Sequence, residues 1–137
     1  MAYTFQVTFD CHDLGVMTRF WAIALGYEEQ KPPAGRESWV AWAIEQGIPR
    51  EAWRGALVDP GGTGPRLFFQ PVPEPKTAKN RVHLDIVVAA VGASSAQRGE
   101  QIEAHVSRCI EAGATVLSRS ADFVVMADPE GNELYIQ

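Results

Sequence analysis

The chain says nearly the same thing twice. "LVDPGGTGPRLFFQ" (57–70) and "MADPEGNELYIQ" (126–137) each run from a hydrophobic strand into Asp-Pro, through glycine, and into a second strand ending in Gln. A duplication of this kind restricts the fold more than any single motif does, because each copy has to build the same unit. The two copies differ at one telling place. Arg66 opens the last strand of the first, and Glu133 opens the last strand of the second.

The segments upstream of each copy also match. "TFQVTFD" alternates, with Phe5, Val7 and Phe9 on one face and Thr4, Gln6, Thr8 and Asp10 on the other, the period of a strand with two unlike faces. Asp13 stands where a helix N-cap belongs and Gly26 where the helix ends. Between them Leu14, Met17, Phe20, Trp21 and Leu25 recur at helical spacing. "YEEQ" predicts a short strand, stopped by Pro32 and Pro33. "ESWVAWAIEQG" predicts a helix with Trp39, Trp42 and Ile44 on one face, and Pro49 opens a further turn through Trp53. "GALVDP" and "PRLFFQPV" predict two strands.

After the polar connector "VPEPKTAKNR" the pattern restarts. "RVHLDIVV" predicts a strand, and "SAQRGEQIEAHVSRCIEAG" a helix with Ile102, Val106, Cys109 and Ile110 as its apolar stripe. "ATVLSRS", "DFVVMAD" and "NELYIQ" predict three more strands. The reading is therefore an α+β chain of two tandem βαβββ modules, residues 1–73 and 81–137. Sixty residues separate Gln6 from Arg66 and fifty separate His83 from Glu133, and an inserted helical segment at about 37–54 accounts for the difference.

Composition narrows the functional classes. With 137 residues, 46% hydrophobic and 21% charged, the chain suits a globular fold that needs no disulfide. A net charge of −5 argues against nucleic acid as a partner. No apolar run is long enough for a membrane span, and "MAYTFQVTFD" lacks a signal-peptide pattern, so a cytoplasmic protein is expected. Cys11 and Cys109 have no metal-type spacing and read as ordinary reduced thiols. A Cys11–His12 nucleophile is discounted, because neighbours in extended chain point to opposite faces. "GGTG" lacks the Lys-Ser/Thr and the helix of a phosphate loop and reads as a hairpin turn. His12 and His105 are expected at the surface or beside helices.

Several of these stretches carry a resemblance. "QVTFDCHD" with "RFWAIALGY", "RVHLDIVV", and the closing "ADPEGNELYIQ" resemble the vicinal oxygen chelate superfamily of glyoxalase I, bleomycin-resistance proteins, fosfomycin-resistance proteins and extradiol dioxygenases. "ESWVAWAIEQGIP" with "DPGGTGPRLFFQPVPEPKTAKNRVHLD" is similar to an actinobacterial-type glyoxalase-like subfamily. The resemblance implies an open, cup-like mixed sheet with helices outside. It also implies site residues on the first and last strands, here Gln6, Arg66, His83 and Glu133.

Gln6, His83 and Glu133 form an amide, imidazole and carboxylate set of the kind that holds a divalent Zn, Ni, Mn or Fe ion. Such an ion acts as a Lewis acid on vicinal oxygens, and Glu133 is then the candidate catalytic acid or base. Arg66 departs from the four-ligand pattern, since a guanidinium cannot ligate a metal. It is expected either to pair with Glu133 or to hold an anionic substrate group. Trp39, Trp42 and Trp53 are open to two readings, a lid over a ligand or ordinary packing. Lys76, Lys79 and Arg81 read as a solvated cluster or as an attraction for an anion. The implied functions are a metal-dependent lyase, isomerase or dioxygenase acting on a small molecule, or a metal-free drug-sequestering protein. A homodimer is expected, because open-edged modules tend to pair.

Overall fold

The computed structural model describes residues 1–137 as an α+β chain of two compact units. The first comprises residues 1–22 and 26–75, and the second residues 23–25 and 76–137. In the first unit β1 (Gln6–Cys11) leads into α1 (Leu14–Leu25), whose last turn groups with the second unit. β2 (Glu28–Glu29), α2 (Trp39–Glu45), a 3-10 turn (Arg50–Ala52), β3 (Gly55–Val58) and β4 (Arg66–Pro71) follow. The second unit contains β5 (Leu84–Ile86), α3 (Ser95–Glu111), β6 (Thr115–Arg119), β7 (Val124–Ala127) and β8 (Glu133–Ile136).

The two sheets have the same topology, which is the duplication made visible. Their orders are β1-β4-β3-β2 and β5-β8-β7-β6. In each, the first strand pairs in parallel with the last, and the last pairs antiparallel with the third. Gln6 stands opposite Arg66 in the first register. In the second, Leu84 stands opposite Leu134, so His83 and Glu133 each immediately precede a paired residue.

Local chemistry sets the helix ends. The Asp13 carboxylate accepts the Val16 N–H at 2.9 Å, and Gly26 ends α1 at φ 68°, a conformation that favours glycine. Ser38 caps α2 at Ala41 N–H, and Ser94 caps α3 in a reciprocal box with Gln97. The Asp-Pro repeats are organised by their aspartates. Asp59 accepts from the N–H groups of Gly61, Thr63 and Gly64 and from the Thr63 hydroxyl. Asp128 accepts from the N–H groups of Glu130 and Asn132 and from the Asn132 amide. These bonds hold the Asp59 carboxyl down at about 2, led by the Gly64 and Gly61 N–H groups.

An aromatic chain fills the core of the first unit. Phe69 stacks on Phe9 at 5.3 Å, Phe9 meets Trp21 at 4.7 Å, and Phe20 meets Trp21 edge-on at 5.4 Å. Three apolar positions, Phe5, Ile44 and Ile110, stand exposed beside the neighbours that spacing groups them with. Phe5 precedes β1, has no rung to hold it, and is exposed. Ile44 is 63% exposed because α2 buries Ala43, four residues after Trp39, instead. Ile110 is 47% exposed because the buried stripe of α3 is Ile102, His105, Val106 and Cys109.

His105 thus belongs to the core of the second unit. Its Nε2–H donates to the Ala24 carbonyl at 2.8 Å, and Arg108 donates to its Nδ1 at 3.1 Å. Those bonds fix a neutral ring. Burial lowers its pKa, the Ala24 carbonyl opposes that shift, and the Arg108 charge adds to it. The unfolded chain therefore takes up this proton first as pH falls through the ordinary imidazole range near 6.5. The expected outcome is full stability above that range and a falling melting temperature below it. His105→Leu is expected to flatten that slope. A wild-type melting temperature that holds constant from neutral pH into the mildly acid range would refute the assignment.

Candidate functional site

Arg66 is the centre of the polar face of the first sheet. β1 and β4 alternate, so Leu67 and Phe69 are buried while Arg66, Phe68 and Gln70 share the opposite face with Gln6, Thr8 and Asp10. The Arg66 Nη1 donates to Gln6 Oε1 at 2.7 Å, and its Nε donates to Gln30 Oε1 at 2.7 Å. Its guanidinium lies 4.9 Å over the Phe68 ring. Gln6 Nε2 in turn reaches Thr8 Oγ1 at 3.3 Å.

The equivalent face of the second sheet carries His83 and Glu133. His83 Nδ1 bonds Asp85 Oδ1 at 2.6 Å, and its ring stacks on Tyr135 at 4.2 Å. Glu133 is the correction. The partner expected for its carboxylate was Arg66, and the partners it has are Lys76, 3.3 Å from both oxygens, and the Asn80 N–H at 3.0 Å. The connector "KTAKNR" folds back on its own module and supplies both groups. Burial raises the Glu133 pKa, but the Asn80 N–H, its own N–H and Lys76 outweigh it, so the group is held below the ordinary carboxylate value. Lys76 also donates to the Ala78 carbonyl, so it is a fixed ion-pair partner and no free lure for anions.

These donors do not fit a divalent metal. The Gln6 oxygen that would ligate already accepts from a guanidinium, a permanent cation. The Glu133 oxygens face an ammonium and a backbone N–H. His83 alone has the arrangement of a ligand, with Nδ1 tied to a carboxylate and Nε2 open. Within either unit, no three His, Cys, Asp or Glu side chains gather to hold an ion.

A cavity of about 1080 Å³ lies in the first unit, on the α1 side of the sheet. Trp39, Val40 and Trp53 line it together with Leu14 and Thr18 of α1 and with Pro71 and Val72. Both indoles are fixed. Trp39 Nε1 donates to the Gln30 carbonyl at 2.8 Å, and Trp53 Nε1 to the Ile48 carbonyl at 3.0 Å. Trp42 packs edge-on against Trp39 at 5.6 Å and is not part of the lining. Asp13, Glu29 and Glu51 line the cavity together with Arg50 and Arg54, so it carries both signs of charge.

Sequence reasoning missed Gln30, Gly55 and His12. Gln30 joins the two regions, since its carbonyl holds Trp39 and its side chain holds Arg66. Gly55 opens β3 where a Cβ would stand 2.8 Å from Thr18 Cγ2 and 3.0 Å from Leu14 Cδ1. A glycine at a strand start was the available signal of such close approach. His12 lines the cavity and bonds the Glu74 carbonyl at 3.1 Å, while Cys11 is buried. The other thiol, Cys109, is pushed up to about 11 by burial, so neither cysteine is poised as a nucleophile.

Residues 6–136 match the model of the glyoxalase-like domain family. The chain belongs to that family. No curated protein sequence matches it. Among solved structures, FosX, the fosfomycin resistance protein from Mesorhizobium loti, is similar at 11% identity and TM-score 0.67, covering 100% of this chain and 91% of that one. A glyoxalase/bleomycin resistance protein/dioxygenase family enzyme from Burkholderia phytofirmans PsJN is similar at 18% identity and TM-score 0.61, covering 96% and 94%. FosX from Listeria monocytogenes complexed with Mn(II) and sulfate is similar at 11% identity and TM-score 0.63, covering 99% and 91%. At these identities the likeness is one of fold.

Proposed function

We propose that this glyoxalase-like protein binds a small organic molecule without a protein-held metal, in the manner of a sequestering protein. The observation that carries the reading is the cavity between α1 and the two fixed tryptophans. Its volume of about 1080 Å³ and its mainly apolar walls with a few charged groups suit a drug-sized ligand. Trp39 and Trp53 offer flat apolar area for an aromatic ligand, and Trp42 supports Trp39 from behind. Arg66 on Gln6 and Lys76 on Glu133 support the metal-free part. We further propose that the protein acts as a homodimer in the cytoplasm, with a dimeric mass in light scattering as the expected result.

A metal-dependent enzyme of the lyase or dioxygenase type is the second reading. It is favoured by the open Nε2 of His83 and by the Mn(II) in a FosX relative. Gln6, His83 and Glu133 would be its ligands and Glu133 its catalytic group, once Arg66 and Lys76 had moved aside.

The test uses protein purified without chelators or a nickel column. Metal analysis is expected to find far less than one ion per chain. The neutral dye Nile red is expected to bind equally with and without EDTA. Trp53→Ala is expected to weaken that binding about tenfold, roughly 1.4 kcal/mol. One tightly held ion per chain, with dye binding lost on its removal, would transfer the argument to the second reading.

A further inference from the structure

We propose that Arg66 anchors an oxyanion, the carboxylate, phosphate or phosphonate of a small molecule, on the polar face of the first sheet. The inference rests on the metal-free reading above and concerns the face opposite the tryptophan cavity. A guanidinium carries five N–H donors. Two are taken by the oxygens of Gln6 and Gln30, which leaves three, both hydrogens of Nη2 among them. The two glutamines do more than occupy donors. Each has to turn its oxygen toward Arg66, so each turns its amide NH2 away from it. Gln6 Nε2 reaches Thr8 Oγ1 at 3.3 Å, so the donors that the face offers at its positive centre are those of the guanidinium itself.

The guanidinium is also held in place before any ligand arrives. Two side-chain bonds and the Phe68 ring beneath it restrict a residue that otherwise has many rotamers. Ordering that is already complete raises affinity, because binding no longer has to supply it. A cation is excluded by the charge, and a neutral ligand would gain hydrogen bonds alone. An oxyanion gains both, in the planar bidentate geometry that arginine favours. The negative charges on the same face are Asp10, whose Oδ1 already accepts from Gln70 at 2.7 Å, and Glu28, paired with Val58 at the far side of β3.

The test is titration of inorganic phosphate, methylphosphonate and benzoate in separate arms, at constant ionic strength. Calorimetry and the Nε–Hε resonance of Arg66 are the readouts. Millimolar binding that shifts the Arg66 signal is expected in at least one arm. Response to phosphate and methylphosphonate alone identifies a tetrahedral group, and response to benzoate alone identifies a carboxylate. Arg66→Lys is expected to weaken binding about tenfold, because lysine keeps the charge and loses the fork. Gln30→Ala, a milder change that leaves the charge in place, is expected to weaken it about threefold. Equal affinity in Arg66→Gln, or no shift at tens of millimolar in any arm, overturns the proposal. Each arm is run with EDTA and with Mn(II). Binding that needs Mn(II) overturns the metal-free reading as well, whereas no binding in either condition overturns the oxyanion site alone.

Discussion

Phe69→Ala is expected to destabilise the protein by about 3–5 kcal/mol, the usual loss for a large aromatic removed from a packed core. Phe69 is fully buried on the helix-facing side of β4. It ends the stack that runs through Phe9 to Trp21 and Phe20, so its loss leaves a void against Phe9 and removes one ring-to-ring contact. Since folded domains are stable by only about 5–15 kcal/mol, the variant should be partly unfolded at moderate urea. Urea unfolding followed by tryptophan fluorescence measures this. A loss under about 1 kcal/mol would mean that the site collapses around the void, and that the stack is not the core of the first unit.

The second large effect is expected at Asp128. Its carboxylate is 3% exposed and accepts from two backbone N–H groups and the Asn132 amide. Asp128→Ala strands those donors around a buried position in a part-buried turn, at about 3 kcal/mol. Asp59 serves as the internal comparison, since it organises the equivalent turn from a half-buried position. Asp59→Ala is expected to lose distinctly less, because water can reach the donors it leaves behind. Equal losses in parallel urea titrations would show that burial does not separate the two turns. The Asp59 contribution should also be pH-dependent in a known direction. It is complete above the ordinary value near 3.8 and is lost as pH falls through about 2.

The architecture was legible because its signals are local and occur twice. Strand alternation at Gln6–Asp10, the caps at Asp13 and Gly26, and the restart at "RVHLDI" depend on neighbouring residues, and each matches the element observed. The failures have one cause. Ile44 and Ile110 are grouped by helical spacing and His105 by residue type, whereas helix faces are chosen by what lies across from them. His105 is buried because the Ala24 carbonyl and Arg108 satisfy both ring nitrogens, and no periodicity shows that. At the site, the matching of Gln6 with His83 and of Arg66 with Glu133 follows from the repeat, with His83 standing one residue ahead of its strand, but their hydrogen-bond partners do not. Gln30 is thirty-six residues from Arg66, and Lys76 is fifty-seven from Glu133. Each lies in a segment whose path back onto the sheet is a tertiary event.

The aspartate turns have a consequence for how such a chain can change. Each turn is closed by its own carboxylate and nearby N–H groups, and neither uses the side chain of Arg66 or Glu133. The turn therefore delivers a fixed address on the sheet whatever residue occupies it. A cation and a carboxylate can stand at the two addresses without either hairpin being refolded. Mutation can then explore chemistry at these positions almost independently of folding, and the two copies are free to diverge in charge while their backbones stay alike.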